Sequence, residues 1–197
     1  MTASTLSPAE AAAADALIRL ALAEDLGPAG DRTSLATIPP ATRARAAFVA
    51  RGVGVVAGLP VAERVCKAVS PELTFHARVP DGTATARGTE LATVEGPLQA
   101  VLAAERTALN FLQRLSGVAT LTRKYVDAST GFRAQILDTR KTTPGWRLLE
   151  KYAVRAGGGT NHRVGLYDGI LIKDNHLAGL GGDVRRAVEA ARAYPGN

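Results

Sequence analysis

The sequence predicts an α/β protein with two successive regions, an α+β region built on an antiparallel sheet and then parallel α/β units. Three observations lead there. Short runs of β-forming residues, split by glycine and Asp-Gly turn signals, fill the stretch between an N-terminal helix and a second, much longer one. That second helix, Gln99 to about Asp127, is apolar over most of its circumference and is therefore expected to be buried. After Gly131 the rhythm becomes strand, helix, strand, helix, the order of parallel α/β units.

Taken in order, Ser7 and Pro8 are a cap and a first helical position, and Glu10 completes a capping box. The helix runs on through Leu17, Leu20 and Ala21 until Gly27 and Pro28 stop it. ARAAFVARGVGVVAG reads as one or two strands with glycine bends, and LPVAERVCKAVS as a short helix. LTFHARVP and TELATVEG read as strands divided at Asp81-Gly82. On the long helix, Val101, Ala108, Leu112, Leu115 and Ala119 fall in one narrow arc, while Arg106, Asn110, Gln113 and Gly117 form a polar stripe opposite. Glu105 falls near the apolar side, where a carboxylate needs a partner. RAQILDT and DGILIKDN read as strands, each followed by a helix, LLEKYAVRAGG and DVRRAVEAARAY. Both strands end in charged residues, and functional groups of parallel α/β proteins gather at the C-terminal ends of strands.

Composition narrows the function. With 46% hydrophobic and 21% charged residues, the chain is neither a disordered tail nor a membrane protein, and no apolar run reaches about 18 residues. The first ten residues lack the basic and apolar regions of a secretory signal, so a cytoplasmic protein is expected. The single cysteine, Cys66, excludes an internal disulfide framework and a cysteine-built zinc site; Cys66 and Trp146 are read as packing residues, and His76 as structural. The net charge is +6, and the stretch from Thr139 to Lys173 holds seven basic residues against Glu150 and Asp168. So concentrated a positive field favours an anionic ligand. Nucleic acid is one candidate, but no helix-turn-helix, zinc-finger or RNP-like pattern is present and aromatics for base stacking are only 5%. A small polyanion fits better.

Three motifs carry the chemistry. In DTRKTTPGWR, Arg140 offers a planar fork for a carboxylate or phosphate, Lys141 a point charge, and Thr139, Thr142 and Thr143 hydroxyl donors. The alternative is a solvated basic loop. In GGGTNHR, three glycines let a backbone approach a ligand or simply turn, with His162 and Arg163 following. In LIKDNH, Lys173 ends an apolar run and is either a snorkelling edge residue or an anion ligand. No P-loop, GxGxxG, HExxH or Ser/His/Asp order occurs.

Together ERTALNFLQRLSG, LDTRKTTPGWR, KYAVRAGGGTNHR and LYDGILIKDNH resemble the quinolinate phosphoribosyltransferases, and EDLGPAGDRTS and TELATVEGPL extend the likeness over nearly the whole chain from about Leu17. The resemblance implies an N-terminal α/β sandwich domain, residues 1–116 with most of the linking helix, followed by the first part of an α/β barrel, residues 117–197. The barrel is incomplete here. It implies transfer of phosphoribosyl from phosphoribosyl pyrophosphate, with Mg2+, to quinolinate, giving nicotinate mononucleotide, pyrophosphate and CO2 in NAD biosynthesis. Arg140 and Arg163 would hold quinolinate carboxylates, with His162 beside them. Arg106 would reach in from the partner subunit of a homodimer. Lys141 and Lys173 would act at the phosphoribosyl pyrophosphate end as the catalytic cations, and Thr139 would line the pocket. Members of the family continue past Asn197, where acidic residues for ribose and magnesium are expected; no metal ligand is assigned within this chain. Two other readings are a related molybdenum-transport-associated homologue and an inactive anion- or nucleic-acid-binding module.

Overall fold

The computed structural model describes residues 5–196. Its contacts separate two compact units, one ending at Asn161 and the other beginning at His162.

The first unit opens with helix α1, Pro8–Leu26. The Ser7 hydroxyl accepts from the Glu10 amide at 3.3 Å, and the Glu10 carboxylate accepts from the Ser7 amide at 2.8 Å, so the capping box is closed as the sequence implied. The C-cap Gly27 has φ 51°, which favours glycine. A six-residue helix α2, Arg32–Thr37, follows, with Asp31 at its N-cap accepting from the amides of Thr33 and Ser34. Ser34 also donates to Asp31, and these bonds hold the Asp31 carboxyl below its ordinary value. This helix shows no apolar period, and the sequence reading did not foresee it.

The sheet strands are β1 (Arg43–Val49), β2 (Gly54–Val55), β3 (Thr74–Ala77), β4 (Ala84–Thr85) and β5 (Glu90–Pro97), with helix α3 (Leu59–Val69) between β2 and β3. A three-stranded antiparallel sheet has the order β1-β5-β3, and β2 pairs with β4 in a separate two-stranded ladder. Central β5 buries Leu91, Ala92, Thr93 and Val94, and the rings of Phe48 and Phe75 on its two neighbours approach to 5.7 Å. His76 stands exposed on β3.

Helix α4, Leu98–Ala128, packs on α3 and the sheet. Val101, Ala108, Leu112, Leu115 and Ala119, the arc expected to face inward, are all buried. The opposite stripe of Arg106, Asn110, Gln113 and Gly117 is exposed. Glu105 is exposed as well, which corrects the expected buried carboxylate: it lies just beyond the edge of the packed arc, so water solvates it and no partner is required. Cys66 on α3 is buried, and burial pushes its thiol up to about 11.

Two close approaches fix how α3 and the next helix, α5 (Arg147–Ala156), sit on α4. Gly58 caps α3 at φ 106°, and a Cβ there would meet Leu115 Cδ1 at 2.9 Å. Gly157, at the C-cap of α5, faces the Ala119 carbonyl oxygen, which a Cβ would meet at 2.5 Å. Beneath them lies Asp81. Its carboxylate accepts from the Gly58 amide at 2.6 Å, the Leu59 amide at 3.1 Å and the Tyr152 hydroxyl at 2.6 Å, joining a sheet turn to both helices. Burial raises the Asp81 carboxyl despite these bonds, and burial next to Asp81 raises the Tyr152 hydroxyl too.

RAQILDT does not form the expected strand. It is extended, and its one bridge is parallel, Leu137 to Thr160, with Thr160 N donating to Ile136 O at 2.8 Å and Asp138 N to Thr160 O at 3.1 Å. A strand needs a continuous ladder, and no further neighbour pairs with this segment among the described residues.

In the second unit, DGILIKDN is likewise not a strand: residues 168–173 form no ladder, and the end of that run opens a short helix α6, Asp174–Ala178. Helix α7, Val184–Ala193, is N-capped by the Asp183 carboxylate, which accepts from the Arg186 amide at 2.9 Å.

Candidate functional site

In the first unit the extended run through Ile136 and Leu137 delivers the chain to the loop Asp138–Thr143, against α4 and α5. A cleft of about 400 Å³ opens there. Val118, Leu121 and Tyr125 of α4 line one wall, Val154 and Lys151 of α5 another, and Asp138, Thr139, Lys141 and Thr142 the rim. The expected residues Thr139, Arg140 and Lys141 are thus brought together on one loop, with Thr139 and Lys141 on the cleft itself.

That loop is braced. Lys141 N donates to Thr139 Oγ1 at 3.0 Å, and Arg147 Nε to Thr142 Oγ1 at 3.1 Å. Thr143 N donates to Glu150 Oε2 at 3.3 Å, and Arg114 reaches from α4 to both Thr143 and Glu150. The Arg114 guanidinium lies 5.0 Å from the Trp146 ring centroid, and Trp146 stacks on Phe111 at 4.9 Å, which gives Trp146 the packing role expected of it. Within this bracing, Arg140 Nε is buried with no hydrogen-bond partner among the described residues. A buried guanidinium N–H left without an acceptor is costly, and a bound carboxylate or phosphate is the kind of acceptor that removes the cost.

Asp138, just before the basic residues, is not open to solvent. Its carboxylate pairs with Lys151 Nζ at 2.5 Å and accepts from Asn161 Nδ2 at 2.7 Å. Lys151 and Asn161 are functional-region residues that sequence reasoning passed over. A lysine on an amphipathic helix reads as solvated, yet the Lys151 side chain is 2% exposed. The only hint was the position of Asp138 at the end of an apolar run.

Arg106 is exposed on α4. It precedes Val118, the first α4 residue of the cleft, by twelve residues, or about 18 Å along a helix axis. It therefore does not belong to the cleft of its own chain.

The glycines of GGGTNHR serve packing. Gly157 and Gly159 abut α4 at Ala119 and Thr122, and Gly158 takes φ 92°. The second unit carries His162, Arg163 and Lys173. Arg163 Nη1 donates to the Gly169 carbonyl at 2.9 Å, and the Asp168 carboxylate accepts from the amides of Val164 and Gly165 at 2.7 and 2.8 Å. Lys173 N donates to His176 Nδ1 at 3.0 Å, while the exposed Lys173 side chain leads into α6. His162 is exposed.

No group of three or more His, Cys, Asp or Glu side chains able to hold a metal occurs among the described residues. Asp138 already engages both carboxylate oxygens, so the residues here do not build a magnesium cage. No described helix is long and apolar enough to cross a membrane.

Comparison with known proteins places this architecture. The profile of the quinolinate phosphoribosyl transferase N-terminal domain matches residues 31–116, and that of the C-terminal domain residues 118–197. The nicotinate-nucleotide pyrophosphorylase [carboxylating] of Mycobacterium leprae is 48% identical over 190 residues, covering 94% of this chain and 67% of that protein. Quinolinate phosphoribosyltransferase [decarboxylating] 1 of Nicotiana glauca is 45% identical over 178 residues, 90% of this chain and 50% of the relative. The chain spans about half the length of the plant relatives it matches. Among solved structures, NadC from Streptococcus pyogenes superposes with a TM-score of 0.90 at 41% identity, over 97% of this chain and 66% of that one. The nicotinate-nucleotide pyrophosphorylase of Francisella tularensis gives 0.91 at 34% identity, over 100% and 68%. With both domain profiles matched and a bacterial relative nearly half identical, the chain belongs to the quinolinate phosphoribosyltransferase family.

Proposed function

We propose that this chain serves de novo NAD biosynthesis as a quinolinate phosphoribosyltransferase, converting quinolinate and phosphoribosyl pyrophosphate to nicotinate mononucleotide, pyrophosphate and CO2. The observation that carries the reading is the braced loop of Thr139, Arg140 and Lys141 beside a cleft, with a buried Arg140 nitrogen that lacks a partner among the described residues. Membership of the family supports quinolinate as the substrate.

In this reading Arg140 and Arg163 hold quinolinate carboxylates, with His162 beside them, and the hydrogen bond from Arg163 to Gly169 restrains one of these guanidinium groups. Lys141 and Lys173 face the phosphoribosyl pyrophosphate end, and Thr139 lines the pocket. The quinolinate ring nitrogen forms the bond to the ribose carbon while the bond to pyrophosphate breaks. Loss of the neighbouring carboxylate as CO2 then leaves an electron pair that takes a proton. The protein supplies no nucleophile. Its cations orient the reactants and stabilise charge gathering on the departing pyrophosphate. Magnesium would accompany phosphoribosyl pyrophosphate and offset part of its charge. Arg106, set away from its own cleft, serves a second copy in a homodimer. The protein works in the cytoplasm, without nucleic acid or membrane as partner.

The test is calorimetric titration with quinolinate, followed by an assay for nicotinate mononucleotide after phosphoribosyl pyrophosphate and magnesium are added. Saturable quinolinate binding is expected of residues 1–197, and product formation once the acidic residues that the family carries past Asn197 are supplied. Absence of quinolinate binding, with duplex binding that falls steeply with salt, would overturn the reading.

A further inference from the structure

The seven cations between Thr139 and Lys173 are not equivalent. Lys151 is paired with Asp138, both side chains nearly buried at 2% and 6% exposure. Arg155 is paired with Glu10 of α1, Nη2 to Oε1 at 2.8 Å. Asn161 stands between the two pairs: its Oδ1 accepts from Arg155 Nη1 at 2.7 Å, its Nδ2 donates to Asp138 Oδ2 at 2.7 Å and to Lys151 O at 2.9 Å. An arginine can only donate and a carboxylate only accept, so a primary amide, with one acceptor and one donor end, is the side chain that joins them. The chain of contacts ends at the α1 cap, where Glu10 Oε2 accepts from Ser7 N.

We infer that this run, Glu10–Arg155–Asn161–Asp138–Lys151, is the positioning frame of the basic loop, and that Lys151, Asn161 and Arg155 are positioning residues rather than ligands of the substrate. The functional part of the inference rests on the reading above. Two cations are neutralised within the frame, which leaves Arg140 and Lys141 as the loop's cations for an anion. Asp138 is held by both side chain and main chain, since its amide also donates to Thr160 O. The residue directly before Thr139, Arg140 and Lys141 is therefore fixed from two directions. A buried ion pair is stiff when its remaining hydrogen bonds are met, because moving either partner exposes an uncompensated charge. The frame carries that stiffness from the start of the first helix to the rim of the cleft.

Lys151→Met risks losing the fold, since it strands the Asp138 charge. Arg155 is the better probe: its side chain is 39% exposed and does not line the cleft. The experiment compares the wild type with Arg155→Met, Arg155→Lys and a core control, Val61→Ala on α3. Amide hydrogen exchange at residues 139–142 and quinolinate affinity are read below the melting range. Arg155→Met should speed exchange in that loop and weaken quinolinate binding about tenfold, the order of loss expected when one charge-assisted hydrogen bond to the ligand is weakened. Arg155→Lys, which keeps one donor, should recover part of both. Val61→Ala should melt lower and change neither. If Arg155→Met only melts lower, or speeds exchange without altering affinity, the positioning role is wrong. Should the wild type not bind quinolinate at all, the proposed function fails, and the exchange comparison alone decides the frame: unchanged exchange overturns it.

Discussion

Gly157→Ala separates two forces that act in opposite directions at one backbone position. Gly157 has φ −72° and ψ −7°, an ordinary right-handed helical conformation that alanine adopts without strain. Backbone entropy alone therefore predicts stabilisation, about 0.4–1 kcal/mol from restricting the unfolded chain. The contact predicts the reverse. The added Cβ would lie 2.5 Å from the Ala119 carbonyl oxygen and 2.7 Å from Thr122 Cβ, both anchored on α4. Neither atom is the free end of a flexible side chain, so one helix must move relative to the other. Overpacking of this kind costs about 1–3 kcal/mol. The expected net is a loss of about 1–2 kcal/mol, or roughly 2–8 °C in Tm for a chain of this size. Urea unfolding of Gly157→Ala with circular dichroism reads it, and Thr122→Ala serves as a second background. Because the Ala119 oxygen and the residue-122 Cβ persist in that background, most of the penalty should remain. A Gly157→Ala protein as stable as wild type, or more so, would refute the close approach.

Three further outcomes follow from the site and the core. Burial raises the Asp81 carboxyl above 3.8, so the folded state favours the protonated form; that contribution is full below 3.8 and is lost as pH climbs through the raised value. The stability of wild type relative to Asp81→Asn should therefore decline with rising pH in urea titrations, and a gap independent of pH contradicts the assignment. Arg163→Lys keeps the charge but loses the planar fork, and should weaken quinolinate binding about tenfold or more while leaving the melting curve nearly unchanged; unaltered affinity by calorimetry removes Arg163 from the carboxylate clamp. Finally, mixing inactive Arg106→Ala with inactive Arg140→Ala should return part of the activity through mixed dimers holding one intact site, and silence despite proven subunit exchange ends the case for Arg106 acting in a second copy.

What could be read from the residues divides along a physical line. Helices announce themselves locally: Ser7, Pro8 and Glu10 specify a cap within four positions, and the inward arc of α4 follows from 3.6 residues per turn. Strands in a parallel arrangement do not, because their hydrogen bonds lie with distant neighbours; RAQILDT has the apolar content of a strand but finds one bridge, at Thr160. Helix α2 escaped notice because a six-residue turn after Asp31 needs only its cap and no apolar stripe. At the candidate site, the basic loop was legible from composition and from the end of an apolar run. Its bracing was not. Nothing in the letters distinguishes Lys151 from the solvated lysine at 67, and only the packed structure shows that one is buried against Asp138 while the other pairs with Glu63 at the surface.

The seclusion of Cys66 has a practical side. The chain has a single thiol, enclosed by the core and held up to about 11, so very little thiolate is present near neutral pH. The folded protein is thus an almost silent background for maleimide and other thiol-directed reagents. A cysteine introduced at Asn110, on the exposed stripe of α4, would take a fluorophore or spin label at one address without first removing the native residue. Distances between two such labels could then be measured on otherwise unaltered protein.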